Sequence, residues 1–186
     1  EMVDQYGDPL LAPAIARLGT IRYRVPEGEK WLNFLPDRPH EVLISIPAYG
    51  VRSMDLASGL SRSILAEQDR TFLKALLAQD GKTLVSLHRS FDSIDKSYRQ
   101  ELRFWDVNQP QQELDAQRIA WVEKNIDPVV DFAIAPDGFT IATFSQLGEL
   151  RLWDTRTNRR LPQQAFGKRG IKAAGFSPDG SWLAYS

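Results

Sequence analysis

One short unit recurs along this chain and limits what the chain can fold into. Val130, Phe132 and Ile134 alternate with Asp131 and Ala133, the two-residue period of a strand with one buried face. Pro136-Asp137-Gly138 follows as a turn: proline presets φ, aspartate can bond its own backbone, and glycine takes a positive φ freely. Phe139–Ser145, rich in Ile, Thr and Phe, predicts a second strand. After Gly148, Leu150 and Leu152 alternate with Arg151 and Trp153 in a third strand that ends at Asp154. Phe176-Ser177-Pro178-Asp179-Gly180 repeats the turn, with Asp179 standing 42 residues after Asp137. Ala78-Gln79-Asp80-Gly81 has the same shape upstream, and Leu35-Pro36-Asp37 is a weaker copy 43 residues before Asp80. A chain patterned this way is expected to form a series of similar antiparallel meanders.

The third strand recurs as well. Leu102-Arg103-Phe104-Trp105-Asp106 matches Leu150-Arg151-Leu152-Trp153-Asp154, and Val51-Arg52-Ser53-Met54-Asp55 is a degenerate copy. A period of about 40–45 residues, four strands per unit and a Trp-Asp ending are the marks of a propeller blade. Over residues 18–186 the chain resembles the WD-repeat β-propeller family, and the N-terminal part of a bacterial-type member of it. The resemblance implies an all-β fold, a β-propeller of about three and a half four-stranded antiparallel blades belonging to a larger ring. The units would span about 30–68, 69–127, 128–169 and 170–186, the last truncated, after an extended lead-in over 1–17. The alternation of Ile21 and Tyr23 with Arg22 and Arg24 resembles the opening strand that completes the last blade in such rings. Both ends are read as truncated. The expectation is bare sheet edges, with Phe176, Trp182 and Tyr185 short of partners, and a tendency to pair with another copy.

The family's hallmarks are incomplete. No unit carries the Gly-His pair that precedes the first strand in the family, and Leu147 stands where the turn aspartate of its buried polar chain would be. Unit three offers Ser145 or Thr143 to Trp153. Cohesion is therefore expected to depend on apolar packing around Trp105, Trp153, Phe132 and Phe176 more than on that polar chain.

Unit two is longer than its neighbours. From turn Asp to final Asp, units one and three span 18 and 17 residues, and unit two spans 26. From final Asp to the next turn Asp the chain runs 25 residues after units one and three, but 31 after unit two. The excess falls in Arg89–Arg99, between the second and third strands, and in Asp115–Asp127, between units. The resemblance places both loops on one face of the disc, and loops on a rigid scaffold carry binding. Asp92, Asp95, Tyr98, Arg118, Trp121 and Lys124 are the candidate partner-binding residues, with Trp121 and Tyr98 as aromatic anchors.

Little else points to chemistry. Apolar residues make up 42% and charged residues 25%, which describes a globular chain, and a net charge of −1 gives no general pull toward nucleic acid or an anionic membrane. With no cysteine, disulfides, thiol catalysis and cysteine-ligated zinc are excluded. No apolar run approaches the ~18 residues of a membrane span. His40 and His88 lie in different units without metal-ligand spacing and read as structural or solvated. The stretch around Asp92 and Asp95 lacks the alternating carboxylates and glycine of a calcium loop. The basic run of Arg156, Arg159, Arg160, Lys168, Arg169 and Lys172 is divided between opposite faces by the repeat, and reads as solvated charge. The expected function is a non-catalytic scaffold for a protein or peptide partner, part of a larger protein whose remaining blades it contacts, with no catalytic residue, cofactor or metal. The alternative is an accessory or substrate-gating propeller of an enzyme whose catalytic domain lies elsewhere.

Overall fold

A computed structural model describes residues 31–65, 72–93, 97–109, 119–123, 128–162 and 174–185. The lead-in, the opening strand over 21–24 and residues 168–172 lie outside the described residues. Every regular element described is a strand: β1 (Trp31–Leu35), β2 (Arg38–Ile46), β3 (Gly50–Asp55), β4 (Ser61–Leu65), β5 (Phe72–Leu77), β6 (Thr83–Asp92), β7 (Ser97–Asp106), β8 (Ile119–Glu123), β9 (Val129–Ile134), β10 (Thr140–Ser145), β11 (Leu150–Asp154), β12 (Arg159–Arg160), β13 (Ala174–Phe176) and β14 (Leu183–Tyr185). They form three four-stranded antiparallel meanders in chain order, sheet 1 (β1–β4), sheet 2 (β5–β8) and sheet 3 (β9–β12), and a two-stranded sheet 4 (β13–β14). Several turns place glycine at positive φ (Gly59, Gly81, Gly138, Gly148 and Gly180), while the β2–β3 and β11–β12 turns use Ala48 (φ +62°) and Asn158 (φ +52°).

The turn aspartates act as expected. Asp80 accepts hydrogen bonds from the Lys82 and Thr83 amides (both 2.8 Å) and from the Thr83 hydroxyl (2.6 Å). Asp137 does the same with Phe139 and Thr140. Burial alone would push both carboxyls up, but these hydrogen bonds outweigh it and hold them below the usual carboxylate range. Gly81 and Gly138 follow at φ +68° and +72°, which side-chain-bearing residues rarely adopt. The turns also approach one another at two junctions: a Cβ on Gly81 would meet Pro36 at 3.0 Å and one on Gly180 would meet Pro136 at 3.4 Å, whereas one on Gly138 would meet nothing within 4 Å.

The sheets stack face to face in chain order through the same register. Leu35, Leu43, Val51 and Leu65 of sheet 1 pack on Phe72, Ala75, Leu84 and Trp105 of sheet 2. Val85, Leu87, Leu102 and Phe104 of sheet 2 pack on Phe132 and Ile141 of sheet 3. Ala133, Ala142 and Phe144 of sheet 3 receive Ala174, Phe176 and Leu183 of sheet 4. The first strands adjoin in series, β1 with β5, β5 with β9 and β9 with β13. Phe176 therefore has partners, against expectation, because β13 docks on β9. Trp182 and Tyr185 remain exposed.

Polar pairs cross each of the first two junctions. The Ala75 amide donates to the Ser45 hydroxyl (2.8 Å) and the Leu77 amide to Asn33 Oδ1 (3.2 Å). Between sheets 2 and 3, Lys74 pairs with Asp131 while its ammonium lies 5.2 Å from the Trp31 ring centre and 5.6 Å from that of Phe132.

The polar chain expected to be weak is partly present. Trp105 Nε1 donates to Ser86 Oγ at 2.7 Å, and Ser86 Oγ lies 2.7 Å from His88 Nε2. His88 is 1% exposed and meets the Phe72 ring edge-on, so its role is structural. In sheet 3 the choice falls on Thr143, whose hydroxyl accepts from Trp153 Nε1 at 2.9 Å. The equivalent positions of sheet 1 hold Ile44, Ile46 and Met54, all buried together without polar atoms. Replacing both partners of a buried hydrogen bond avoids the cost of leaving one unsatisfied.

Candidate partner-binding ribbon

Sheet 2 differs from its neighbours at the end opposite the Asp-Gly turns. The β2–β3 ladder closes at Ile46↔Gly50, and the β10–β11 ladder at Phe144↔Leu150. The β6–β7 ladder passes the level of the sheet 3 closing pair at Leu87↔Leu102 and that of sheet 1 at His88↔Glu101, and continues through Arg89↔Gln100, Ser90↔Arg99, Phe91↔Tyr98 and Asp92↔Ser97. Four further pairs extend the hairpin by about 13 Å. Arg89–Arg99, expected as a loop, is therefore mostly strand. It contains no Gly or Pro, so nothing interrupts a ladder already under way.

The second insertion is corrected in the same way. Within Asp115–Asp127, Ile119–Glu123 is not an inter-unit loop but the fourth strand of sheet 2. Its branched and aromatic residues favour a strand. β8 pairs along the distal part of β7, from Leu102↔Ile119 to Tyr98↔Glu123, and so backs the overhang. The two insertions meet in one three-stranded ribbon.

The ribbon is fixed at its root. Gln100 is fully buried. Its amide donates to the Val129 carbonyl at 2.8 Å and its oxygen accepts from the Val129 amide at 2.7 Å, which ties β7 to the first residue of β9. Sequence reasoning missed this clamp, since an isolated Gln in a polar stretch carries no signal. It missed Lys74 too, although a lysine inside Phe72-Leu73-Lys74-Ala75-Leu76-Leu77 is a charge in an apolar run and so a pointer to a buried pair.

The register sets Tyr98 opposite Phe91, and Trp121 opposite Gln100. Phe91 is 55% exposed near the tip, and Arg99 is exposed as well. Asp92 is in the last pair of the ribbon. Asp95, Arg118 and Lys124 lie outside the described residues. Phe91, absent from the sequence-based candidates, is the described apolar side chain the ribbon offers to solvent.

Other polar groups among the described residues pair with one another. A cleft of about 400 Å³ on sheet 1 is lined by Glu41, Ser53, Asp55 and Arg62 among others. It exists because Ser53 stands at the position of Phe104 and Leu152. Glu41 is bound by Arg38 (3.0 Å) and Arg62 (2.9 Å), and Arg62 also donates to Ser53. In the basic run, Arg156 binds Asp154 and lies over Phe139, and Arg160 binds Glu149. Among the described residues no group of three His, Cys, Asp or Glu side chains is placed to hold a metal ion, and no helix is long and apolar enough to cross a membrane. No protein-family model matches the chain, and no curated protein matches it.

Proposed function

We propose that the chain is part of a WD-repeat-type β-propeller that serves as a non-catalytic platform, and that a protein or peptide partner engages the overhanging ribbon of sheet 2. The propeller reading is supported by the serial contact of first strands, with each meander running outward from them, the way blades radiate from an axis. The observation that carries the binding reading is the ribbon. It is longer than the corresponding hairpins of sheets 1 and 3, backed by β8, clamped by Gln100 and tipped by exposed Phe91. A rigid projection with an apolar tip offers a hot spot at small ordering cost.

The test trims the ribbon. Residues 90–99 are replaced by Asn-Gly, with Arg89 and Gln100 kept so that the clamp survives. A photo-crosslinking residue is placed in parallel at Phe91 and, as a control at the other end of the sheets, at Phe139. The expected result is one specific adduct from position 91, with loss of that partner from the trimmed protein at unchanged melting temperature. Equal partner recovery by the trimmed protein refutes the assignment.

A further inference from the structure

At the end of the sheets that carries the Asp-Gly turns, sheet 3 has a small device that sheet 1 holds only in part. Arg156 donates to both oxygens of Asp154, from Nε at 3.1 Å and from Nη2 at 3.0 Å, and its guanidinium lies 5.0 Å from the Phe139 ring centre. Carboxylate and ring together seat a guanidinium, the first by charge-assisted hydrogen bonds and the second by its π face.

The backbone of sheet 1 repeats this corner. The Thr155 amide donates to the Phe139 carbonyl at 2.9 Å, and the Leu56 amide donates to the His40 carbonyl at 2.6 Å. The pair Thr140↔Asp154 of sheet 3 corresponds to Glu41↔Asp55 of sheet 1. His40 therefore stands where Phe139 stands, Asp55 where Asp154 stands, and Ala57 where Arg156 stands. The carboxylate and an aromatic ring are kept, and the arginine is not. Sheet 2 has Lys82, Asp106 and Asn108 at these positions, with no ring, and its Asn108 is bound by Arg38.

The Asp55 carboxylate is half used. Its Oδ1 accepts from the Ala57 amide (3.1 Å), the Ser58 amide (2.7 Å) and the Ser58 hydroxyl (2.8 Å), while its Oδ2 accepts from none of the described residues. The bonds from Ser58 hold the carboxyl below its usual range, so it is ionised at neutral pH. The neighbouring arginines are committed elsewhere: Arg38 and Arg62 both bind Glu41, and Arg62 also binds Ser53. Asp55 also lines the cleft of about 400 Å³, whose walls come from β2, β3, β4 and the β3–β4 turn. That volume is within the range of about 300–1,000 Å³ found for ligand sites. Leu60, 58% exposed, gives the cleft an apolar wall.

We infer that this corner of sheet 1 binds an arginine side chain of a partner peptide, with the guanidinium on Asp55 Oδ2 beside His40 and the aliphatic stem along Leu60. A lysine fits less well, because a planar guanidinium can donate in its plane and stack on a ring at once, and an ammonium cannot. The site lies at the opposite end of the sheets from the ribbon and does not depend on it.

The test is a nuclear magnetic resonance titration of the isotope-labelled 186-residue chain with N-acetyl-arginine amide. N-acetyl-lysine amide and N-acetyl-citrulline amide, which has the shape of arginine without its charge, are titrated in parallel. The arginine probe is expected to shift the Ala57, Ser58 and Leu60 amides saturably. The lysine probe should bind at least about tenfold more weakly, and the citrulline probe should not bind. Asp55→Asn keeps an oxygen for the Ala57 and Ser58 amides but puts a donor in place of Oδ2. It should weaken arginine binding by at least about tenfold, the scale of one hydrogen bond between charged groups. Ala57→Arg supplies the side chain from the chain itself, at a residue without positive φ, and should block the probe with the far-UV circular dichroism unchanged. If Asp55→Asn does not fold, Ala57→Arg decides. No saturable shift at these amides, equal binding of lysine or citrulline, or arginine binding that survives in the folded variants overturns the proposal.

Discussion

Ser86→Ala should be among the most damaging single changes for so small a loss of volume. Ser86 is fully buried between the Trp105 indole N–H and His88 Nε2, at 2.7 Å from each. Removing the hydroxyl leaves the indole N–H without an acceptor in a junction sealed by Leu43, Leu84 and Phe72, and takes from His88 its contact at Nε2. One orphaned buried group costs about 1–3 kcal/mol, so the expected total is about 2–4 kcal/mol. The cause can be separated from simple cavity loss. Trp105→Phe removes the N–H, so the double variant should be less destabilised than the sum of the singles by about 1–3 kcal/mol. Sheet 3 supplies an internal control. Trp153 is only half-buried, so water can reach the N–H freed by Thr143→Val, and the cost should be about 1 kcal/mol. Urea denaturation followed by far-UV circular dichroism, at one fixed protein concentration, measures all four. Additivity of the Ser86 and Trp105 changes to within about 0.5 kcal/mol would refute the argument.

Three further outcomes are expected. Asp131→Ala leaves the Lys74 ammonium buried with its carboxylate gone and should cost about 3–5 kcal/mol in denaturant titration, whereas Lys74→Met with Asp131→Leu should recover most of that; equal losses in both would speak against a desolvated pair. Gln100→Leu should cost about 2–4 kcal/mol and deprotect the Val129 amide in hydrogen exchange, because both backbone groups of a buried residue lose their partner; an unchanged exchange rate would show that the clamp is dispensable. Asp80, Asp137 and Asp179 have carboxyls held below their ordinary values, Asp179 at about 2 by the Ser177 and Ser181 hydroxyls. Their contribution is complete above the unfolded value near 3.8 and lost as pH falls toward about 2, so thermal scans should show stability falling across that window, and less steeply in Asp179→Asn.

What the sequence showed and what it hid differ by the range of the interaction. The turns were legible because Asp80 and Asp137 bond residues two and three positions on, and the same short pattern recurs at a fixed interval. Strand identity was legible from alternation in β9 and β11. The ribbon was seen as two insertions but misread as loops, because Ser90, Asp92 and Arg99 resemble loop residues until a partner strand lies alongside. Gln100, Lys74 and Ser45 were missed altogether. Each acts on a residue in the next sheet, and no local pattern encodes a contact whose partner is 29, 57 or 30 residues away.

Those inter-sheet contacts bear on how a repeated chain keeps its order. Copies that begin alike have interchangeable faces, so a nascent sheet could dock on the wrong neighbour or skip one. The contacts inside each sheet cannot prevent this, since Trp105 with Ser86 and Trp153 with Thr143 are nearly the same device. The junctions have instead diverged: sheet 2 needs a hydroxyl from Ser45, and sheet 3 needs both the Gln100 amide and the Lys74 ammonium. A sheet 3 laid directly on sheet 1 would bury Asp131 with no cation and leave the Val129 backbone unpaired. Each mismatch adds a penalty that the correct neighbour avoids. Transplanting one sheet into another's place should therefore fail even where strand lengths and apolar faces agree, unless the two residues that meet it across the gap move too.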